Sequence, residues 1–342
     1  MGRPTIRDVA ATADVSVSTV NRVLGKTGKV RQATMHRVLE AAQEIGFYGV
    51  GAIQHRVAAT RHRYRLGILM QAPNQLFYDT VSHSLRAAAA AFEDGDVRLR
   101  IEYLDDLSPE RVASRMLELG VESDSLAVVA AEHPIVTAAI DKLADQAIPV
   151  VAMVSPLSSR SNVGYVGPDG WKIGRTSAWA FDHICKKPGK IGILVGTHRY
   201  RCHDLNESGF RSYFREYANE FILLEALSTF ESNAIAREVT EKLLRDHSDL
   251  TGLYVSGGGI PGVLAALKDG GKAGDIVTLG YDLNDATKAG LLDGTLTLVI
   301  SHRFEELARE TISAMIRAKE SGPEAGSRSV LVPFDIYTRE NI

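Results

Sequence analysis

Thr5-Ile-Arg-Asp-Val-Ala-Ala-Thr-Ala-Asp-Val-Ser-Val-Ser-Thr-Val-Asn-Arg-Val-Leu-Gly25 reads as two short helices joined by a tight turn. Thr5 and Asp8 fit the capping pattern in which a hydroxyl and an acid three residues on satisfy amides of the first turn. Ile6, Val9, Ala10 and Ala13 then fall at i, i+3, i+4 and i+7, one apolar stripe, leaving Arg7 and Asp8 to water. Asp14 and Val15 break that stripe. Ser16 caps a second helix whose Val20, Val23 and Leu24 turn inward and whose Val17, Ser18, Asn21 and Arg22 turn outward, and Gly25 ends it. The outward four suit a DNA major groove. Arg grips guanine bidentately, Asn pairs with adenine, Ser bonds either way and a Val methyl meets a thymine methyl. Thr5 is counted with them as a DNA contact.

A third helix is expected over Gln32–Ile45, with Met35, Val38, Leu39, Ala42 and Ile45 on one face closing a three-helix headpiece. Charge follows the same division. Residues 1–65 hold eleven Lys/Arg against four Asp/Glu, net +7, whereas residues 66–342 hold twenty-eight against thirty-eight, net −10. Only the front of the chain is built for phosphate. Arg56, Arg61, Arg63 and Arg65 would add backbone contacts of salt-dependent strength.

The run Thr5–Ala10, the run Val15–Val20, Arg22-Val23-Leu24 and Ile45-Gly46-Phe47 together resemble the headpiece of the lac-repressor family of bacterial transcription regulators. The resemblance implies base contacts from Val17, Ser18 and Arg22, and it is departed from at Asn21, where the family usually has Ser. It also implies a hinge helix that lodges an apolar wedge in the minor groove. The matching stretch, Gly51–Val57, has no Leu, so Val57 or Ile53 would be the wedge, with Arg56 beside it; a flexible linker is the other reading of its glycines.

At 342 residues and 45% hydrophobic content the chain can bury sizeable cores. No signal peptide and no apolar run of membrane length is seen, so a cytoplasmic protein without membrane contact is expected. Cys185 and Cys202 form neither a disulfide framework nor a metal cluster, and no cofactor is expected. From Leu66 onward, ten β-branched runs alternate with amphipathic segments: Leu66–Met70, Leu99–Tyr103, Leu126–Ala130, Pro149–Val154, Val163–Val166, Ile191–Val195, Leu223–Leu227, Gly252–Val255, Ile276–Gly280 and Leu296–Ile300. That alternation implies an α/β fold of parallel sheets covered on both faces, in two lobes, with ligands at the carboxyl ends of strands.

Candidate effector contacts sit at those ends. Gln71, Asn74, Phe77 and Tyr78 follow the first strand and pair aromatic rings with amides, as a sugar site does. Glu132 follows the third. Arg201 and Asn206 lie in a polar loop where Arg199 and Arg201 would admit a phosphate or acid, or else stay solvated. Asp282 ends a strand, where an ionised carboxylate accepts from two vicinal hydroxyls; capping the next helix is its plainer role. Gly257-Gly-Gly-Ile-Pro-Gly262 matches G-x-G-x-x-G between a strand and a helix, with Asp282 about twenty residues on, the pattern of a dinucleotide site.

The large domain resembles the periplasmic sugar-binding-protein fold, the effector domain of the lac-repressor family. That resemblance rests on Gly280-Tyr281-Asp282 and Ser301-His302-Arg303-Phe304, and it implies ligand contact at Asp282 and a hinge position for His302. It departs at Asn206, where many relatives place an Arg, and at Gly257-Gly258, where they place Asn-Asp. The expected organisation is a helix-turn-helix headpiece over 1–49, a hinge over 50–64 and an effector domain over 65–342. Lobe one would take about 65–162 and 303–328, lobe two about 163–302 and 329–342. The implied protein is a homodimeric regulator, a repressor of carbohydrate genes, that binds a pseudo-palindromic operator DNA and a sugar-like small molecule. A transport receptor would share the large domain and lack the headpiece; an NAD- or sugar-nucleotide-binding enzyme would explain the glycines and not the basic front.

Overall fold

The computed structural model describes residues 3–25, 30–60, 62–71, 76–161, 163–322 and 328–342. The chain divides into two compact units, Met1–Tyr64 with Ala90–Arg98, and Arg65–Ala89 with Leu99–Ile342.

The first unit is built on four helices, α1 (Ile6–Thr12), α2 (Val17–Gly25), α3 (Gln32–Glu44) and α4 (Val50–Thr60). At the start of α1 the Asp8 carboxylate accepts both the N–H and the hydroxyl of Thr5, each at 2.7 Å. Those bonds hold the Asp8 carboxyl below its ordinary range. Asp14 turns the chain at φ 50°, and the Ser16 hydroxyl accepts from the Thr19 N–H at 3.2 Å to start α2. Gly46, at φ 65°, lets Phe47 N–H reach back to the Ala42 carbonyl at 2.8 Å, which closes α3. Val9, Val20, Val23, Val38 and Ala42 meet in one fully buried core.

Ile53 and Val57 belong to that core as well, at 0% and 3% exposure. The two residues expected as the minor-groove wedge therefore face the headpiece core in this structure. One helical turn apart, the two residues share a face, and α4 spends that face on α2 and α3. Withdrawing Ile53 alone would forfeit about 1.5–3 kcal/mol of burial. The stretch is a packed helix rather than a plain linker.

The second unit holds two six-stranded sheets with helices on their faces, apart from His62–Tyr64 of β1 and Gly95–Arg98 of β2, which fall in the first. The first sheet runs β11-β5-β4-β3-β1-β2, comprising β1 (His62–Gln71), β2 (Gly95–Leu104), β3 (Ser125–Val128), β4 (Val150–Met153), β5 (Gly164–Gly167) and β11 (Ser329–Leu331). The second runs β12-β10-β9-β8-β6-β7, comprising β6 (Lys190–Val195), β7 (Ile222–Ser228), β8 (Leu250–Ser256), β9 (Val277–Tyr281), β10 (Leu298–His302) and β12 (Phe334–Tyr337). Most neighbours are parallel and β12 is antiparallel to β10. The lobe limits differ from expectation by a few residues. β5 and β11 pair with each other in the first sheet, so the chain crosses after Gly167, after His302 and between Leu331 and Phe334.

The remaining helices, among them those that position the site, are α5 (Leu76–Ala90), α6 (Pro109–Val121), α7 (Pro134–Asp145), α8 (Gly170–Ile184), α9 (Arg201–Tyr217), α10 (Asn233–Asp246), α11 (Ile260–Asp269), α12 (Asp285–Leu292) and α13 (Phe304–Ser321). α8 and α9 cross with backbones almost touching: a Cβ at Gly174 would lie 2.0 Å from the Asn206 carbonyl oxygen and 2.6 Å from the Phe210 nitrogen. Both neighbours are main chain and cannot swing aside. Gly174→Ala therefore loses about 1–3 kcal/mol to overpacking, more than the ~1 kcal/mol that Ala gains in helix propensity. The expected result is a lower urea midpoint for the large domain; an unchanged or higher midpoint would show that the helices part freely.

Candidate functional site

Two surfaces carry the residues with chemistry. On the first unit, α2 leaves Ser18, Asn21 and Arg22 exposed, with Val17 at 41%, while Val20 and Val23 are fully buried beneath them. Arg22 lies back one turn, donating to the Ser18 carbonyl and hydroxyl at 3.3 and 3.4 Å, bonds long enough to be exchanged for a better acceptor. Thr5 is exposed at the start of α1 and Arg56 is half-buried on α4. Of the basic residues expected to meet phosphate, Arg63 pairs with Asp96 at 3.6 Å and Arg65 with Asp124 at 3.1 Å. Burial works against the Asp124 charge, yet Arg65 holds its carboxyl below the ordinary range. Arg61 and Asn74 lie outside the described residues.

On the second unit, a cavity of about 570 Å³ opens at the carboxyl ends of strands from both sheets, a size that suits a small ligand. Gln71, Phe77 and Tyr78 line it from β1 and α5, Asn206 from α9, Gly257 from the end of β8, and Asp282 and His302 from the ends of β9 and β10. Asp282 Oδ1 accepts from His302 twice, from the backbone N–H at 3.0 Å and from ring Nδ1 at 2.8 Å. The carboxylate thus fixes a proton on Nδ1. Phe77, Tyr281 and Phe304 stand edge-on or tilted around the His302 ring at 5.3–5.8 Å, a frame that holds it still. The cap of α12 is Asn284, whose side chain accepts from the Ala286 and Thr287 amides, so Asp282 is released from the capping role.

Two expected contacts lie elsewhere. The Glu132 carboxylate accepts the Ser158 N–H at 3.2 Å, and Arg201 donates to the Ser158 hydroxyl at 2.9 Å. With Glu132 N–H on the Arg199 carbonyl, they fasten the two lobes along one rim and do not line the cavity. A strand-end position does not fix which way a side chain turns, and these two turn toward the loop after β4. Asn206, 4% exposed, takes the orientation in which its oxygen accepts from the Ser256 hydroxyl at 3.1 Å and its nitrogen donates to the Gly170 carbonyl at 3.0 Å. It lines the cavity as a brace.

The glycine-rich turn is already filled. Gly258 N–H donates to Glu231 Oε2 at 2.6 Å, and Glu231 Oε1 faces His203 Nε2 at 3.4 Å. His203 Nδ1 in turn meets the Ser256 carbonyl at 2.6 Å. A Cβ at Gly258 would lie 1.9 Å from the Glu231 carboxylate and one at Gly257 2.6 Å from the Gly196 nitrogen. Gly258 admits an internal acid where a dinucleotide site would take its pyrophosphate, and Gly257 admits the backbone of Gly196. Sequence reasoning missed Glu231 and His203; only the bare Gly-Gly-Gly hinted that something presses on that backbone.

Backbone strain gathers at the same place. Val154, Glu231 and Asp282 all line the cavity with φ of 68°, 58° and 59°. Such conformations cost of order 1–3 kcal/mol each and cluster at binding sites. Burial pushes the Cys202 thiol up to about 12, so the cavity's sulfur stays protonated. Among the described residues no three His, Cys, Asp or Glu are grouped to hold a metal.

The family profile described as "Periplasmic binding protein domain" matches residues 66–323, and that described as "Bacterial regulatory proteins, lacI family" matches residues 5–49. The ribose operon repressor of Halalkalibacterium halodurans is 24% identical over 267 residues, 74% of this chain and 71% of the relative. The D-ribose/D-allose-binding protein of Pseudomonas aeruginosa is 24% identical over 250 residues, 69% of this chain and 76% of the relative. In solved structures, GanP, a glucose-galactose binding protein from Geobacillus stearothermophilus, aligns with a TM-score of 0.74 at 16% identity, covering 82% of this chain and 99% of that one. A solute-binding protein from Actinobacillus succinogenes with bound D-allose gives 0.73 at 17%, covering 81% and 98%. These structures show the shared fold.

Proposed function

The chain belongs to the periplasmic binding protein domain family over residues 66–323 and carries a lacI-family headpiece over 5–49, and from that premise we propose which contacts make it a switch. It is a ligand-responsive, DNA-binding repressor and not an enzyme. Val17, Ser18, Asn21 and Arg22 read base edges of its operator from the major groove, and the effector occupies the cavity around Asp282. The observation that carries this reading is the clean division of α2 into a buried Val20/Val23 face and an exposed polar face.

Two headpieces in a two-fold homodimer would address a pseudo-palindromic site, the symmetry of the protein setting that of the DNA. A DNA partner implies work in the cytoplasm, and no helix among the described residues is long and apolar enough to cross a membrane. The effector is a neutral sugar: Asp282 takes vicinal hydroxyls while the Phe77 and Phe304 rings offer apolar faces, and the relatives include proteins named for ribose and allose. Effector and operator communicate only through the difference in effector affinity between DNA-competent and DNA-incompetent forms.

A mobility-shift assay on the region upstream of the protein's own gene cluster tests this directly. A discrete, competitor-resistant complex is expected, and a panel of pentoses and hexoses should contain one that changes its midpoint several-fold. A complex abolished equally by any unrelated duplex would reject the specific-regulator reading.

A further inference from the structure

We propose that Glu231 is a specificity-determining residue that makes the effector cavity reject anionic ligands; this rests on the reading of the cavity as the effector site. The described lining holds the carboxylates of Glu231, Asp282 and Asp285 and the rings of His203 and His302, with no Lys or Arg among them. The two arginines that would have welcomed an acid are elsewhere, Arg201 on the Ser158 hydroxyl and Arg199 away from this cavity. Anything that enters therefore meets carboxylates with no described Lys or Arg to answer them.

Among the three acids Glu231 is the one that blocks an attractive alternative. The Gly257–Gly259 turn leads into the N-terminus of α11, and its Gly258 amide points at the cavity side, an arrangement that accepts phosphates in other folds. Here that amide is committed to Glu231 Oε2 at 2.6 Å, and the other carboxylate oxygen lies 3.4 Å from His203 Nε2. Gly196 and Gly258 lack the Cβ atoms that would collide with the carboxylate, at 1.7 and 1.9 Å, so the backbone on both sides is shaped around the acid. Glu231 also holds φ 58°, an unfavourable conformation for a side chain whose only task would be to fill space. The carboxylate is tethered at the anion position, and like charge beside it costs several kcal/mol, about 100-fold or more in affinity.

The test titrates the full-length protein with D-ribose, D-allose, ribose 5-phosphate and inorganic phosphate, following heat and thermal midpoint. The wild type should bind a neutral sugar at least ~100-fold more tightly than ribose 5-phosphate and show no saturable midpoint rise with phosphate. Glu231→Ala should acquire one, because the Gly258 amide is freed; Glu231→Gly, which suits the positive φ, is the second variant should the first fold poorly. A wild type that binds ribose 5-phosphate or phosphate as well as a sugar overturns the charge filter, and so do variants that still ignore phosphate. Failure of every neutral sugar, with phosphate binding still gained in the variants, would instead remove the sugar reading and leave the filter standing.

Discussion

Arg22→Ala abolishes operator discrimination while leaving the headpiece folded. The side chain is exposed at the end of α2, bonded only to Ser18 at 3.3–3.4 Å, so its loss removes no core contact. A good bidentate contact to guanine discriminates by about 1–3 kcal/mol. In a dimer both headpieces lose it, roughly 2–6 kcal/mol together, or from about 30-fold to about 10,000-fold in affinity. Gel-shift titrations of operator and scrambled duplex at several salt concentrations separate the possible roles. A base reader loses preference and keeps most of its salt slope; a phosphate contact weakens both duplexes and lowers the slope. Undiminished preference for the operator in the variant would remove Arg22 from the reading set.

Asp282→Ala produces the complementary loss: operator affinity without sugar is retained and the response to sugar disappears. Two charge-assisted hydrogen bonds to hydroxyls are worth about 1.5–3 kcal/mol each, so effector affinity falls on the order of 100-fold to 10,000-fold. His302 contributes to that fall, since its ring and its amide both rely on Asp282 Oδ1. Asp282→Asn separates the two effects by keeping an acceptor for the His302 donors while removing the charge. Calorimetry on both variants, paired with gel shifts in the presence of the sugar, reads the outcome. An Ala variant that still answers the sugar at wild-type concentration would place the ligand elsewhere.

The ten β-branched runs that alternate with helical segments were legible because buried parallel strands carry their signature in composition. Each has a strand within a few residues of it. β11 and β12 were not, being three- and four-residue edge strands, Ser329–Leu331 and Phe334–Tyr337, half-exposed and held by pairing rather than by burial. The same contrast governs the sites. The outward face of α2 follows from a 3.6-residue period, which geometry enforces. Asp282 could be reached from its strand end, whereas His302 came only with the resemblance to the sugar-binding fold. Glu132 also follows a strand and turns away, and Glu231 enters from a left-handed turn after β7 that no periodicity announces. What periodicity cannot supply is the sense in which a loop returns its side chains.

The packing of Ile53 and Val57 under α2 and α3 bears on the timing of recognition. A segment that orders only on its target pays its entropy at the moment of binding, and its affinity and heat capacity change record that payment. An α4 that keeps this packing before it meets DNA would have its ordering settled during folding, and association would then be governed by the +7 charge of residues 1–65 rather than by the wait for a helix to form.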